Sequence, residues 1–237
     1  MINNKKILAV VPARGGSKGV KLKNIRRIGD TSLVAKVGEI VQQINIIDKA
    51  IVSTDHHEIA KIAMKSGLEV PFFRPEELSG DRIGDVDVLT HALLEMEKIN
   101  NTKYDIIVML QPTSPDRTVK HITDAISKFI KTKAESVWTV SETDSKGHPY
   151  KQLVIEDDTI DFFDKRGREI IARQELTATY HKNGIAYVIS RDCLINKKSI
   201  EGDKCIPFLV DGYVSNIDTE LDIAFAEFLL TYHKDVK

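Results

Sequence analysis

The sequence predicts an α/β protein: one mainly parallel sheet with helices on both faces, three layers in all. Three observations carry this. Short β-branched apolar runs and amphipathic stretches alternate three times before Leu110, which builds βαβ units with right-handed crossovers. At 237 residues one domain buries roughly three quarters of the surface its unfolded chain exposes, so no disulfide or metal is required for folding. No repeat, linker or low-complexity segment divides the chain, so residues 1–237 read as one domain.

The first strand spans residues 6–13, an apolar run stopped by Pro12 and followed by Gly15-Gly16, as a buried parallel strand is before its loop. A helix is expected over 32–43. Ile51-Val52-Ser53-Thr54 reads as a strand, and Asp55 with Glu58 as a capping box for a helix carrying Ile59, Ile62 and Ala63 on one face. Gly67 closes that helix. A third strand is expected over 68–73, a helix over 86–99 and a central strand over 105–110. Val119, Ile122, Ile126 and Ile130 mark another helix, and 135–140 the next strand. The pattern then breaks. Leu153-Val154-Ile155 and Ile160-Asp161-Phe162-Phe163 flank a polar turn, so residues 145–175 read as an inserted hairpin flap. The core pattern resumes at 184–189 and 205–210. A final helix over 219–232 places Leu221, Phe225, Phe228 and Leu229 on one face.

Composition narrows the function. There are 34 Lys plus Arg against 35 Asp plus Glu, a net charge of −1, so a general nucleic-acid or membrane binder is disfavoured. Cys193 and Cys205 have no metal-ligand spacing and support no disulfide framework; a reducing cytoplasm fits. Apolar runs fall well short of the roughly 18 residues of a membrane span, and the first one is too short for a signal-peptide core. His56-His57 are adjacent on a helix and point apart, which argues against a metal site there. Trp138 reads as core.

The informative stretch is Arg14-Gly15-Gly16-Ser17-Lys18-Gly19-Val20-Lys21-Leu22-Lys23-Asn24-Ile25-Arg26-Arg27, with six cations and no acid before Asp30. In a nearly neutral chain such a cluster is offset elsewhere. Its glycines let backbone N–H groups approach an anion, and it leaves the first strand where this architecture binds ligands. Each cation at about 4 Å from a phosphate oxygen gains roughly 4 kcal/mol gross at an effective dielectric near 20, before desolvation. A polyphosphate is the natural guest, although charge runs are commonly just solvated loops. Neither the Walker A pattern nor Gly-x-Gly-x-x-Gly is present.

Pro12-Ala13-Arg14-Gly15-Gly16-Ser17-Lys18-Gly19, Lys23-Asn24, Val52-Ser53-Thr54-Asp55, Leu110-Gln111-Pro112-Thr113-Ser114-Pro115 with Arg117, Asn183-Gly184 and Ile217-Asp218-Thr219-Glu220-Leu221-Asp222 together resemble the acylneuraminate cytidylyltransferases, the CMP-sialic acid synthetase family. The order and spacing match over nearly the whole chain. The resemblance implies a glycosyltransferase-A-like nucleotidyltransferase that joins a nine-carbon 2-keto sugar acid to CMP, from CTP, with release of pyrophosphate. It also implies that the flap mediates a homodimer and helps cover the neighbouring subunit's sugar site.

By the same resemblance, Arg14, Lys18 and Lys23 neutralise the triphosphate and its departing pyrophosphate. Asn24 and the backbone of Ala13 contact the nucleotide. Gln111, at the end of the central strand, reaches toward the sugar acid or simply caps that strand. Arg173 faces the substrate carboxylate, and Lys151 on the flap serves the same pocket. Phosphoryl transfer from CTP generally uses Mg²⁺ held by carboxylates and waters. The family pattern is Asp-x-Asp-Thr, whereas this chain reads Asn216-Ile217-Asp218-Thr219, leaving Asp218 as the best ligand, Asn216 as an uncharged second one, and a weaker metal site. Asp218 also reads as the N-cap of the final helix. Two further departures from the family pattern lie at Gly80-Asp81-Arg82-Ile83-Gly84-Asp85-Val86-Asp87, where relatives place hydroxyls toward the nucleotide, and at Lys21-Leu22-Lys23, where a Pro or Gly often precedes the Lys-Asn pair. Two other readings stay open: a cytidylyltransferase for the eight-carbon acid of lipopolysaccharide, and a nucleotide-binding module without turnover.

Overall fold

The computed structural model describes residues 2 and 4–235. After β1 (Ile7–Pro12) comes a glycine-rich loop, then the short hairpin β2 (Arg27–Ile28) and β3 (Thr31–Ser32), turning at Gly29 with φ +64°. Next are α1 (Leu33–Val41), β4 (Lys49–Ser53), α2 (His57–Lys65), α3 (Asp85–Ile99), β5 (Ile106–Met109), α4 (Val119–Thr132) and β6 (Ser136–Glu142). The hairpin β7 (Leu153–Glu156) and β8 (Thr159–Phe162) forms a separate two-stranded sheet. β9 (Tyr180–Ser190), α5 (Arg191–Ile195), β10 (Cys205–Leu209) and α6 (Glu220–Asp235) complete the chain.

The six-stranded sheet has the order β10-β6-β9-β5-β1-β4. The β4–β1, β1–β5 and β6–β10 pairs are parallel, and β9 runs antiparallel between β5 and β6. Strand alternation divides the core. Ile7, Ala9 and Val11 of β1 pack under α1, α2 and α4, whereas Leu8 and Val10 face Leu89, Leu93 and Met96 of α3 and Leu194 of α5. Each fully buried Leu or Ile contributes about 1.5–3 kcal/mol. No helix among the described residues is long and apolar enough to cross a membrane.

Two expectations are corrected. The strand expected over 68–73 is a single parallel bridge from Glu69 to Ile51, because Pro71 has no N–H to continue the ladder. The expected face of the last helix is also wrong. Ile223 and Ala226 bury against Val20, Ile28, Leu33 and Ile217, whereas Leu221, Phe225 and Phe228 are exposed and Leu229 is only half-buried. α6 carries two apolar faces, and only one meets the body. On the outer one, the rings of Tyr213, Phe225, Phe228 and Tyr232 contact each other in succession.

A buried arginine ties β5 to β9. Arg117 is 4% exposed; its Nε donates to Ile185 O at 2.6 Å, and its Nη2 donates to Gln111 O at 2.6 Å and Gly184 O at 3.0 Å. Burial pushes its pKa down to about 9. Arg117→Met is expected to strand three carbonyls and cost about 3 kcal/mol or more, read as a lower urea midpoint. Arg117→Lys is expected not to rescue it, because an ammonium lacks the planar fork.

Candidate active site

The basic loop is held by groups at the ends of β1 and β4. Ala13 N donates to Ser53 O at 2.9 Å, and Gly15 N to Asp55 Oδ1 at 2.7 Å. The Asp55–Glu58 capping box is therefore not formed. His56 is the N-cap of α2, its Nδ1 accepting from Glu58 N at 3.3 Å, and Asp55 turns to the loop instead. Asn24, 5% exposed, donates from Nδ2 to Arg14 O at 2.9 Å. Two glycines are demanded by contact. A Cβ on Gly15 falls 2.8 Å from the His56 ring, and one on Gly19 falls 2.3 Å from the Asp218 carbonyl oxygen.

Each expected catalytic cation meets an acid. Arg14 Nη1 and Lys18 Nζ share Asp81, at 2.7 and 2.5 Å, and Lys18 first, then Arg14, hold that carboxyl below its usual pKa. Lys23 Nζ lies 2.9 Å from Asp218 Oδ1, and Asn216 Nδ2 donates to Asp218 Oδ2 at 2.8 Å. The segment carrying Asp218 is fixed independently: Ile217 is fully buried, and its N–H donates to Thr113 O at 2.9 Å. Asp218 is not a helix cap. Thr219 and Asp222 form a capping box in which the Asp222 carboxylate accepts from Thr219 N at 2.7 Å and Asp218 N at 2.9 Å. The Asp218 side chain is thereby left to the site.

One cleft of about 360 Å³ opens at the C-terminal ends of β1 and β5, large enough for a small ligand, and Lys18 stands outside its lining. Its walls include Arg14, Lys23, Asn24, Gln111, Asn216 and Asp218. Gln111 lies against Gly184, where φ is +72° and a Cβ would fall 2.7 Å from its Oε1. Ala13 is fully buried outside the lining of this cleft, with its N–H bonded to Ser53 O.

Sequence reasoning missed two wall residues. Arg74, 6% exposed, donates from Nε to Ser53 Oγ at 3.0 Å and from Nη2 to Ser53 O at 2.5 Å, and burial lowers its pKa to about 10. Nothing marks it in the sequence beyond its position before Pro75. Asp85 begins α3; burial raises its pKa, while Lys182 and Arg74 pull the other way. Its signal was there, an acid where relatives offer a hydroxyl.

Lys151 and Arg173 do not line this cleft. Both sit in exposed one-turn helices, and Arg173 lines a separate cavity of about 280 Å³ with His148 and Thr143. Among the described residues no group of three His, Cys, Asp or Glu is arranged to hold a metal ion. Asp218 has both oxygens engaged by Lys23 and Asn216, so the expected Asp218–Asn216 pair does not fit a resident Mg²⁺.

Because burial lifts the folded pKa of Asp85 above the ordinary aspartate range, the folded state binds the extra proton in that window, and stability falls as pH rises through it. Asp85→Asn is therefore expected to melt higher than wild type at pH 7, on the order of 2 °C. The gain is expected to vanish toward pH 4, as followed by circular dichroism melts.

A protein-family model described as "Cytidylyltransferase" matches residues 8–204. The "Post-translational flagellin modification protein B" of Campylobacter coli is 33% identical over 227 residues, covering 94% of each chain. The "CMP-N,N'-diacetyllegionaminic acid synthase" of Campylobacter jejuni is 32% identical, covering 95% of each. Among solved structures, a CMP:2-keto-3-deoxy-manno-octonic acid synthetase complexed with CTP superposes with a TM-score of 0.71 at 16% identity, covering 97% of this chain and 100% of that one. At that identity the likeness shows the fold alone, the mainly parallel α/β sheet of the nucleotidyltransferases. Matched over most of its length and about one third identical to curated relatives end to end, this chain belongs to the cytidylyltransferase family.

Proposed function

We propose that the protein transfers CMP from CTP to a nine-carbon 2-keto-3-deoxy sugar acid of the sialic or legionaminic kind. The observation that carries this reading is the cleft in which Arg14, Lys23 and Asn24 meet Gln111, with Lys18 reaching its edge through Asp81. The anomeric hydroxyl oxygen of the sugar attacks the α-phosphorus, the bond from that phosphorus to the bridging oxygen breaks, and pyrophosphate leaves with the electron pair. Arg14, Lys18 and Lys23 stabilise the charge moving onto the leaving group, and their present partners Asp81 and Asp218 give way to phosphate oxygens. Gln111, held over Gly184, orients the sugar acid. The proton of the attacking hydroxyl is lost to water as the new bond forms.

We further propose a homodimer formed through the flap, residues 145–175. Leu153, Ile155, Ile160, Phe163 and Ile171 expose 53–93% of their surface there, which suits burial against a second copy. Such a dimer brings Lys151 and Arg173 to the neighbour's cleft, where a 2-keto acid requires a cation for its carboxylate.

With CTP, Mg²⁺ and a panel of sugar acids, pyrophosphate release is expected with a nine-carbon acid, and Arg14→Ala is expected to lower kcat/KM about 100-fold. Turnover only with the eight-carbon acid, or CTP binding without release, overturns the assignment. Light scattering after gel filtration is expected to read twice the chain mass; 26.6 kDa at micromolar concentration refutes the dimer.

A further inference from the structure

The sequence pattern leads to a metal site at residues 216 and 218, and the structure puts a lysine there. The Asp218 carboxylate is shared between Lys23 Nζ at 2.9 Å on Oδ1 and Asn216 Nδ2 at 2.8 Å on Oδ2. Lys23 is no loosely waving surface cation: its side chain is 16% exposed, against 64% for Asp218. Its ammonium ends on the Asp218 carboxylate. Close packing of Gly19 on the Asp218 carbonyl brings the two segments together.

The nearby acids are committed elsewhere. Asp222 accepts from Asp218 N, Thr219 N and Thr219 Oγ1, and Asp81 is held by Arg14 and Lys18. These hydrogen bonds leave Asp222 charged but turn its carboxylate to the start of α6, so the carboxylate left to the site is that of Asp218, with one ammonium and one amide on it. A hard divalent cation needs several oxygen ligands, and this arrangement supplies one carboxylate whose two oxygens are already engaged by donors.

We propose that Lys23 is the resident counter-ion of Asp218, so that this protein has no divalent-cation site until a nucleoside triphosphate is bound. The triphosphate supplies the missing oxygens. It also draws the Lys23 ammonium onto phosphate, which uncovers Asp218 Oδ1 for a cation that arrives with the nucleotide. The Asn216 amide, uncharged, does not hold that cation in the meantime. This rests on the function proposed above for its choice of nucleotide, but its test needs no turnover.

Mn²⁺ is titrated into the full chain without sugar acid, and free Mn²⁺ is read from its paramagnetic resonance signal. Without CTP, wild type is expected to leave the signal as buffer does; with CTP, protein is expected to remove more signal than CTP alone. Asn216→Asp and Lys23→Met are each expected to bind Mn²⁺ without nucleotide about tenfold or more tightly than wild type, because each makes the site one charge more negative. Lys23→Arg, which keeps the counter-ion, is expected to behave as wild type. Tight nucleotide-free Mn²⁺ binding by wild type overturns the inference, as does Asn216→Asp binding no more tightly than wild type. Failure of pyrophosphate release with every sugar acid sinks the proposed function and leaves this result standing.

Discussion

The site depends on one close contact: the backbone of the basic loop lies so near the Asp218 carbonyl that no side chain fits between them at Gly19. From that contact follow the Lys23–Asp218 pair and one wall of the cleft. Neither partner is free to drift. The loop is pinned to the ends of β1 and β4 by Ser53, Asp55 and Asn24, and the Asp218 segment by Ile217 under it and Asp222 behind it. Strand ends, not the loop's own propensity, set where its cations stand.

Charge is arranged on the same principle. A cluster of cations without partners repels itself, and a cleft lined by them is costly in the absence of ligand. Here Arg14 and Lys18 share Asp81, and Lys23 has Asp218. The acids of these pairs stand largely in solvent, where ion pairing is weak, so exchanging them for phosphate costs little. The acids keep the cations in position while the cleft is empty and yield to a ligand that brings more negative charge.

Much of this was legible before the fold. Alternating apolar runs pointed to the α/β class, and the density of Lys and Arg between Arg14 and Arg27 picked out the loop that lines the cleft. What stayed hidden were partner choices that span long separations. That Asp55 serves Gly15 rather than its own helix and that Asp81 balances Arg14 are decided by tertiary placement, whereas the Thr219–Asp222 capping box that displaces Asp218 from the helix start is local. Local grammar proposed a nearer partner for Asp55 and Asp218. The reversal of β9 is of the same kind: the apolar run at 184–189 predicts a strand but not its direction, which Arg117 shows by joining β9's Gly184 and Ile185 to the end of β5.

The accounting of cations bears on assembly. In the cleft Arg14 and Lys23 stand where phosphate is expected, with Lys18 at its edge, and Arg74 is spent on Ser53 with burial holding it there. Lys182 is turned over the Trp138 ring, 5.1 Å from its centroid, and faces Asp85. A sugar acid entering beside Gln111 brings its own carboxylate, for which none of these groups is set aside. The exposed arginine and lysine of the flap, Arg173 and Lys151, are unclaimed by the phosphate region and lie on a segment whose apolar side chains are bare. On the function proposed here, the flap's greasy surface and its spare cations answer one need: a second copy that covers the first also completes its charge.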